Sequence, residues 1–169
     1  ELAQAGREAS IQTAALGAES KNAALANIAK GLKANSDRII SKNKADLDRS
    51  EKENLAGPLL KRLKFDKKKI EQVCEGIEAL RGLPEPVGHT LSATELDAGL
   101  ELYKVTCPIG VIGVIFESRP DALVQISTLC LKSGNSVLLK GGSEAWRTNR
   151  VLADVITEAA AEYMPAGWL

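Results

Sequence analysis

From Leu2 to Leu80 the apolar side chains return every third or fourth position. Leu25, Ile28, Ala29 and Leu32 follow the spacing i, i+3, i+4, i+7, and Ile70, Val73, Cys74 and Ile77 repeat it, which is the stripe of an amphipathic helix. Asn35-Ser36-Asp37 and Ala56-Gly57-Pro58 interrupt the pattern, so four or five helices are predicted in this stretch. Gly82 to Gly88 holds two prolines and two glycines and is predicted to be a connector. Beyond it the period changes. "ATELDAGLELYKVTCP" has two short extended runs on either side of Asp97-Ala98-Gly99, the pattern of a hairpin or of sheet-edge strands. "GVIGVIFE" is a near-continuous β-branched run, as expected of a strand buried on both faces.

Pro120 then opens a helix with Asp121 in its first turn and a predicted inner stripe of Ala122, Ile126, Leu129 and Cys130. Ser133-Gly134-Asn135 ends it, Val137 to Leu139 is the next strand, and Glu144 to about Tyr163 the next helix. Strand, helix, strand, helix at this spacing is a βαβα unit with parallel strands. The fold class is therefore α/β: an N-terminal helical layer (1–83), a connector with sheet-edge strands (84–107) and a βαβα unit (108–169).

Composition narrows the function. The 22 Lys and Arg balance 22 Asp and Glu, so the basic field of a nucleic-acid binder is missing. No apolar run is long enough for a membrane span, and "ELAQAGREAS" has neither the basic nor the apolar part of a signal peptide. A cytoplasmic protein is expected. Cys74, Cys107 and Cys130 are widely spaced and His89 is the single histidine, which gives neither a disulfide framework nor a metal site.

Ligands of a parallel sheet bind at the C-terminal ends of its strands, where Glu117-Ser118-Arg119 and Lys140-Gly141-Gly142-Ser143 fall. The two loops should face one crevice. At the second, glycines permit close approach to the backbone, a helix start offers free N–H groups to anionic oxygens, and Lys140 adds a positive charge. The other reading of "KGGS" is a turn with Ser143 as helix cap. Gly110 and Gly113 stand at the start of a strand rather than in the turn after it, so the dinucleotide fingerprint is absent.

The segment Pro108 to Asn149, with its "FESRPDALVQ" and "LKGGSEA" runs, resembles the gamma-glutamyl phosphate reductases. They form the proline-biosynthesis branch of the aldehyde dehydrogenase superfamily, and the likeness extends to "RGLPEPVG" and the helical part before it. The resemblance implies that the strands within 84–107 serve oligomerisation, that 108–169 opens a Rossmann-like cofactor domain, and that the activity is NADPH-dependent reduction of L-glutamyl 5-phosphate to L-glutamate 5-semialdehyde. It implies that Lys140 holds the adenosine ribose, with a charge that suits the 2′-phosphate of NADP. Gly141, Gly142, Ser143 and Glu144 complete the implied cofactor loop, one residue longer than the Lys-Pro-x-Glu of the wider superfamily.

Ser118 and Arg119 occupy the place of the superfamily's oxyanion-stabilising asparagine and are the implied substrate residues. An arginine fork suits a phosphate leaving group; the alternative is a pair with Glu117 or Asp121. The resemblance also implies a cysteine nucleophile, and none of the three here lies in its motif. Cys74 and Cys130 are expected in the core and Cys107 in a structural role. No catalytic residue is expected in this chain, which reads as a fragment, inactive by itself, that lacks the catalytic domain. The implied partners are the small-molecule substrate, a glutamate kinase (fused upstream in some relatives) and further copies of the full-length enzyme. The alternatives are a non-catalytic NADP- or phosphate-binding module and a helical interaction protein.

Overall fold

The computed structural model describes all 169 residues. Five helices come first: α1 (Leu2–Ala14), α2 (Ala18–Ala34), α3 (Ser36–Lys52), α4 (Gly57–Leu63) and α5 (Lys67–Arg81). Pro58 stands in the first turn of α4, where no N–H is needed. Asp66 caps α5 by accepting the Lys69 N–H at 3.0 Å. That bond, with Lys64 beside it, holds the Asp66 carboxyl below its ordinary range.

The antiparallel strands β1 (Thr90–Asp97) and β2 (Leu100–Val105) follow as a hairpin. The turn runs through Gly99 at φ +78°, a conformation that favours glycine. Every residue of both strands is exposed, with Leu91, Leu96, Leu100, Leu102 and Tyr103 each more than half so. The connector before the hairpin is anchored to α2 by an ion pair between Glu85 and Lys21, whose side chain is 1% exposed.

The parallel strands β3 (Val111–Ile115) and β4 (Ser136–Lys140) are joined through α6 (Pro120–Lys132), and α7 (Trp146–Ala160) follows β4. One core joins the helical layer to this unit. Leu25, Ile28, Ala29 and Leu32 of α2 and Ile70, Val73, Cys74 and Ile77 of α5 are buried, as their spacing predicts. They pack with Leu123, Val124 and Leu131 of α6 and with Val151, Leu152, Val155 and Ile156 of α7. Each such aliphatic side chain stabilises the fold by about 1.5–3 kcal/mol. Gly31 lets α2 lie close on α7, since a Cβ there would be 3.0 Å from that of Ala159.

Two expectations are corrected. The inner stripe of α6 is Leu123, Val124, Ser127, Cys130 and Leu131, whereas Leu129 is 55% exposed and Ala122 and Ile126 are half-buried. The helix is apolar around most of its circumference, and packing against α2, α5 and α7 selects the face. Nor is β3 buried on both faces: Ile115 is 81% exposed, because besides its sheet partner β4 the strand is packed mainly by α1. On its other edge β4 meets the last residues, where the Val137 N–H donates to the Trp168 carbonyl at 2.7 Å.

Candidate functional site

Because β3 and β4 are parallel and in register at Ile115 and Lys140, the loops that leave them emerge at the same edge. The Phe116 N–H donates to the Lys140 carbonyl at 3.0 Å and carries the pairing into the loops. One residue pair then closes the gap between them. The Ser118 hydroxyl donates to Oε2 of Glu144 at 2.6 Å, so the two stretches singled out in the sequence meet. That hydroxyl is the main reason the Glu144 carboxyl sits below its ordinary range; its own backbone N–H and the charge of Arg49 add to it. Lys140 is exposed at the end of β4 and takes part in none of the molecule's ion pairs.

The glycines between them have a packing reason of their own. A Cβ on Gly141 would strike the Asn149 amide and come within 3.0 Å of the Phe116 ring. A Cβ on Gly142 would lie 2.6 Å from both the Ser118 hydroxyl and the Glu144 carboxylate. A groove of about 350 Å³ runs along β4 beside Gly141, lined by Phe116, Leu139 and Asn149 among others. The Asn149 Oδ1 atom is buried without a hydrogen-bond partner.

Arg119 is paired rather than free. Its Nη2 lies 3.4 Å from Asp121 Oδ2, which Lys69 also reaches at 3.3 Å, and the neighbouring Glu117 is held by Arg62 at 3.0 Å. Of the two readings of this arginine, the ion pair with Asp121 is present.

Ser143 does not cap the helix. Residues Ser143–Ala145 form a 3₁₀ turn before α7, and the Ser143 side chain makes no cap hydrogen bond. The cap comes instead from α3, about a hundred residues earlier. Asp46, fully buried, accepts the Thr148 N–H and the Thr148 hydroxyl at 2.8 Å each. Arg147 lies 3.4 Å and Arg49 3.8 Å from the other carboxylate oxygen. Arg49 in turn donates to the carbonyls of Ser143 at 2.6 Å and Glu144 at 3.0 Å. One turn back, Asn43 donates to the Leu63 carbonyl and accepts the Phe65 N–H. None of these three residues stood out in the sequence. A signal was present: Ile39, Asn43, Asp46 and Ser50 have inward helical spacing, and all four are buried.

The thiols lie elsewhere. Cys74 and Cys130 are buried, and burial pushes both thiols up from their ordinary range. Cys107 is exposed, not buried structure, and precedes β3 at the end opposite the loops. No three metal-ligating side chains come together, and no helix is long and apolar enough to cross a membrane.

No family model matches the chain. It is similar to a gamma-glutamyl phosphate reductase of Ruminiclostridium cellulolyticum, with 70% identity over 95% of this chain and 38% of the relative. It is also similar to one of Pelotomaculum thermopropionicum, with 66% identity over 100% of this chain and 39% of the relative. The crystal structure of gamma-glutamyl phosphate reductase from Thermotoga maritima superimposes with a TM-score of 0.96 at 33% identity, over 99% of this chain and 41% of that one. A probable aldehyde dehydrogenase from Listeria monocytogenes, 13% identical, has the same fold with a TM-score of 0.72. The chain thus spans about two fifths of the length of the curated relatives it matches.

Proposed function

Since the chain belongs to the gamma-glutamyl phosphate reductase family of the aldehyde dehydrogenase superfamily, we propose that it supplies the N-terminal part of an enzyme of proline biosynthesis. That enzyme reduces L-glutamyl 5-phosphate to L-glutamate 5-semialdehyde with NADPH and releases phosphate, in the cytoplasm. In this reading residues 1–83 are a supporting helical layer, and 84–107 carry the connector and an oligomerisation arm. Residues 108–169 begin the cofactor domain. The exposed apolar side chains of the hairpin favour the arm, since an isolated two-stranded ribbon is marginally stable in water.

The observation that carries the proposal is the meeting of the two loops. A free lysine, a carboxylate and a glycine-rich turn stand at the C-terminal edge of a parallel pair, joined through Ser118 and Glu144. These groups fit a phosphorylated dinucleotide. Lys140 offers an unpaired charge to a 2′-phosphate, Glu144 an acceptor to ribose hydroxyls, and the turn around Gly142 its backbone donors. The nicotinamide cofactor, when bound, supplies the hydride. Ser118 and Arg119, on the neighbouring loop, orient the substrate's acyl phosphate. For Arg119 to grip phosphate it must loosen its 3.4 Å contact with Asp121, which Lys69 can keep neutralised.

No cysteine lies at these loops, so turnover needs a nucleophile from outside the 169 residues. The partners of the whole enzyme in this reading are the acyl-phosphate substrate, the kinase that makes it, and further copies of the enzyme. The test is NADP⁺ binding by this chain, followed by phosphate-dependent NADP⁺ reduction from the semialdehyde. Binding without turnover is expected. Turnover that Cys107→Ser abolishes would refute the assignment of the nucleophile to another segment.

A further inference from the structure

Asp46 and Arg49 lie one turn apart on α3, and both reach across to the turn after β4. Asp46 fixes the start of α7 through Thr148, and Arg49 binds two successive carbonyls of the turn, those of Ser143 and Glu144. A peptide unit is planar and trans, so its C=O and N–H point in opposite directions. Holding the Ser143 carbonyl against Arg49 therefore aims the Glu144 N–H away from α3. On that side the Glu144 carboxylate accepts its own backbone N–H and the Ser118 hydroxyl. The two ends of this arrangement differ in rigidity. Asp46 is fully buried, whereas the Arg49 side chain is 34% exposed, and its Nε is buried without a partner. The guanidinium is thus committed to the two carbonyls while another of its donors goes unused.

We propose that Arg49, steadied by Asp46, is the positioning residue of the glycine-rich loop: it sets the course of the Ser143–Glu144 backbone and so the place of the Glu144 carboxylate before a ligand arrives. The proposal rests on the reading of this loop as a nucleotide site. Its structural half can be measured without any nucleotide. An acceptor already in place binds ribose hydroxyls without the cost of ordering it first, so loss of Arg49 acts on affinity through the loop rather than by contact with the ligand.

The test compares wild type with Arg49→Ala, Arg49→Lys and the control Arg150→Ala, which removes an equal charge from the surface of α7, where the Arg150 side chain is 72% exposed. Amide hydrogen exchange is followed at Ala145, Trp146 and Thr148 and at the core positions Val155 and Ile156, and NADP⁺ binding by calorimetry. Arg49→Ala is expected to speed exchange at the first three amides and to weaken NADP⁺ roughly tenfold, the factor carried by one charge-assisted hydrogen bond. Val155 and Ile156 should keep their protection. Arg49→Lys, whose ammonium stops one bond short of the Nη2 that makes both contacts, should fall between, and Arg150→Ala should match wild type. Unchanged exchange at the turn, or equal acceleration at Val155 and Ile156, would overturn the positioning role. So would a local acceleration that leaves NADP⁺ affinity as it was. If the local pattern appears but wild type binds no NADP⁺, the positioning of the loop stands and the nucleotide reading fails.

Discussion

Replacing Gly141 with alanine adds one methyl group beside the Phe116 ring and the Asn149 amide. The new Cβ would fall 3.0 and 3.2 Å from two carbons of the ring, where carbon atoms prefer about 3.5–4.0 Å, and it would collide with the amide nitrogen. The ring and the amide flank the groove along β4, so relief requires one of them to move into it. Overpacking of this kind costs about 1–3 kcal/mol. Alanine returns about 0.4–1 kcal/mol by restricting the unfolded chain. From the middle of each range the net loss is about 1.3 kcal/mol, which for a chain of this size lowers Tm by about 3–5 °C.

Gly142→Ala is the matched comparison. Its backbone, at φ −66° and ψ 150°, is open to any residue. The methyl would meet the far ends of Glu144 and Ser118, side chains that can turn away. That variant should lose less than about 1 kcal/mol while breaking the bond between the loops. Thermal melts of both variants, with Asn149→Ala added to Gly141→Ala as the relieving change, decide the matter. If Gly141→Ala melts like wild type but no longer binds NADP⁺, the packing argument is wrong and the glycine serves ligand approach alone.

Lys140→Ala should weaken NADP⁺ more than NAD⁺ and narrow the preference by roughly 1–2 kcal/mol; an unchanged ratio of the two affinities removes Lys140 from the 2′-phosphate site. The lowered pKa of Glu144 gives the bond to Ser118 a pH signature. A carboxyl depressed on folding contributes stability above its unfolded pKa and loses it as pH falls through the folded value. The stability gap between wild type and Ser118→Ala, read from urea melts, should therefore be open at neutral pH and close in acid. Glu85→Ala leaves the ammonium of Lys21 buried and unpaired, for a loss of about 2–4 kcal/mol. The double change Lys21→Met with Glu85→Leu should recover part of it in the same melts. A disulfide reagent should titrate one thiol of the native chain, at Cys107, and reach Cys74 and Cys130 only on unfolding; retention of the Cys107 signal in Cys107→Ser would contradict the placement.

The sequence by itself determined the features that rest on neighbours in the chain. The stripes Leu25–Leu32 and Ile70–Ile77 gave buried helix faces, and Gly99 gave the hairpin turn. The parallel order of strand and helix was enough to put the loops of Ser118 and Lys140 at one edge, because parallel strands end on the same side. Three things needed the tertiary structure. The face that α6 turns inward was undetermined while apolar residues lay on most sides of it, and Leu129 shows that a plausible stripe can be left in water. Which carboxylate Arg119 pairs with, and whether Ser143 caps α7, depended on which partner came within reach. The buried polar stripe of α3, Asn43 and Asp46, continues the spacing of Ile39 and so marks an inward face, but the spacing is the same whether water or a distant backbone satisfies the polar residue. Asp46 caps a helix 102 residues away. Local periodicity carries no information about such a contact, because packing of the whole core brings the two helices together.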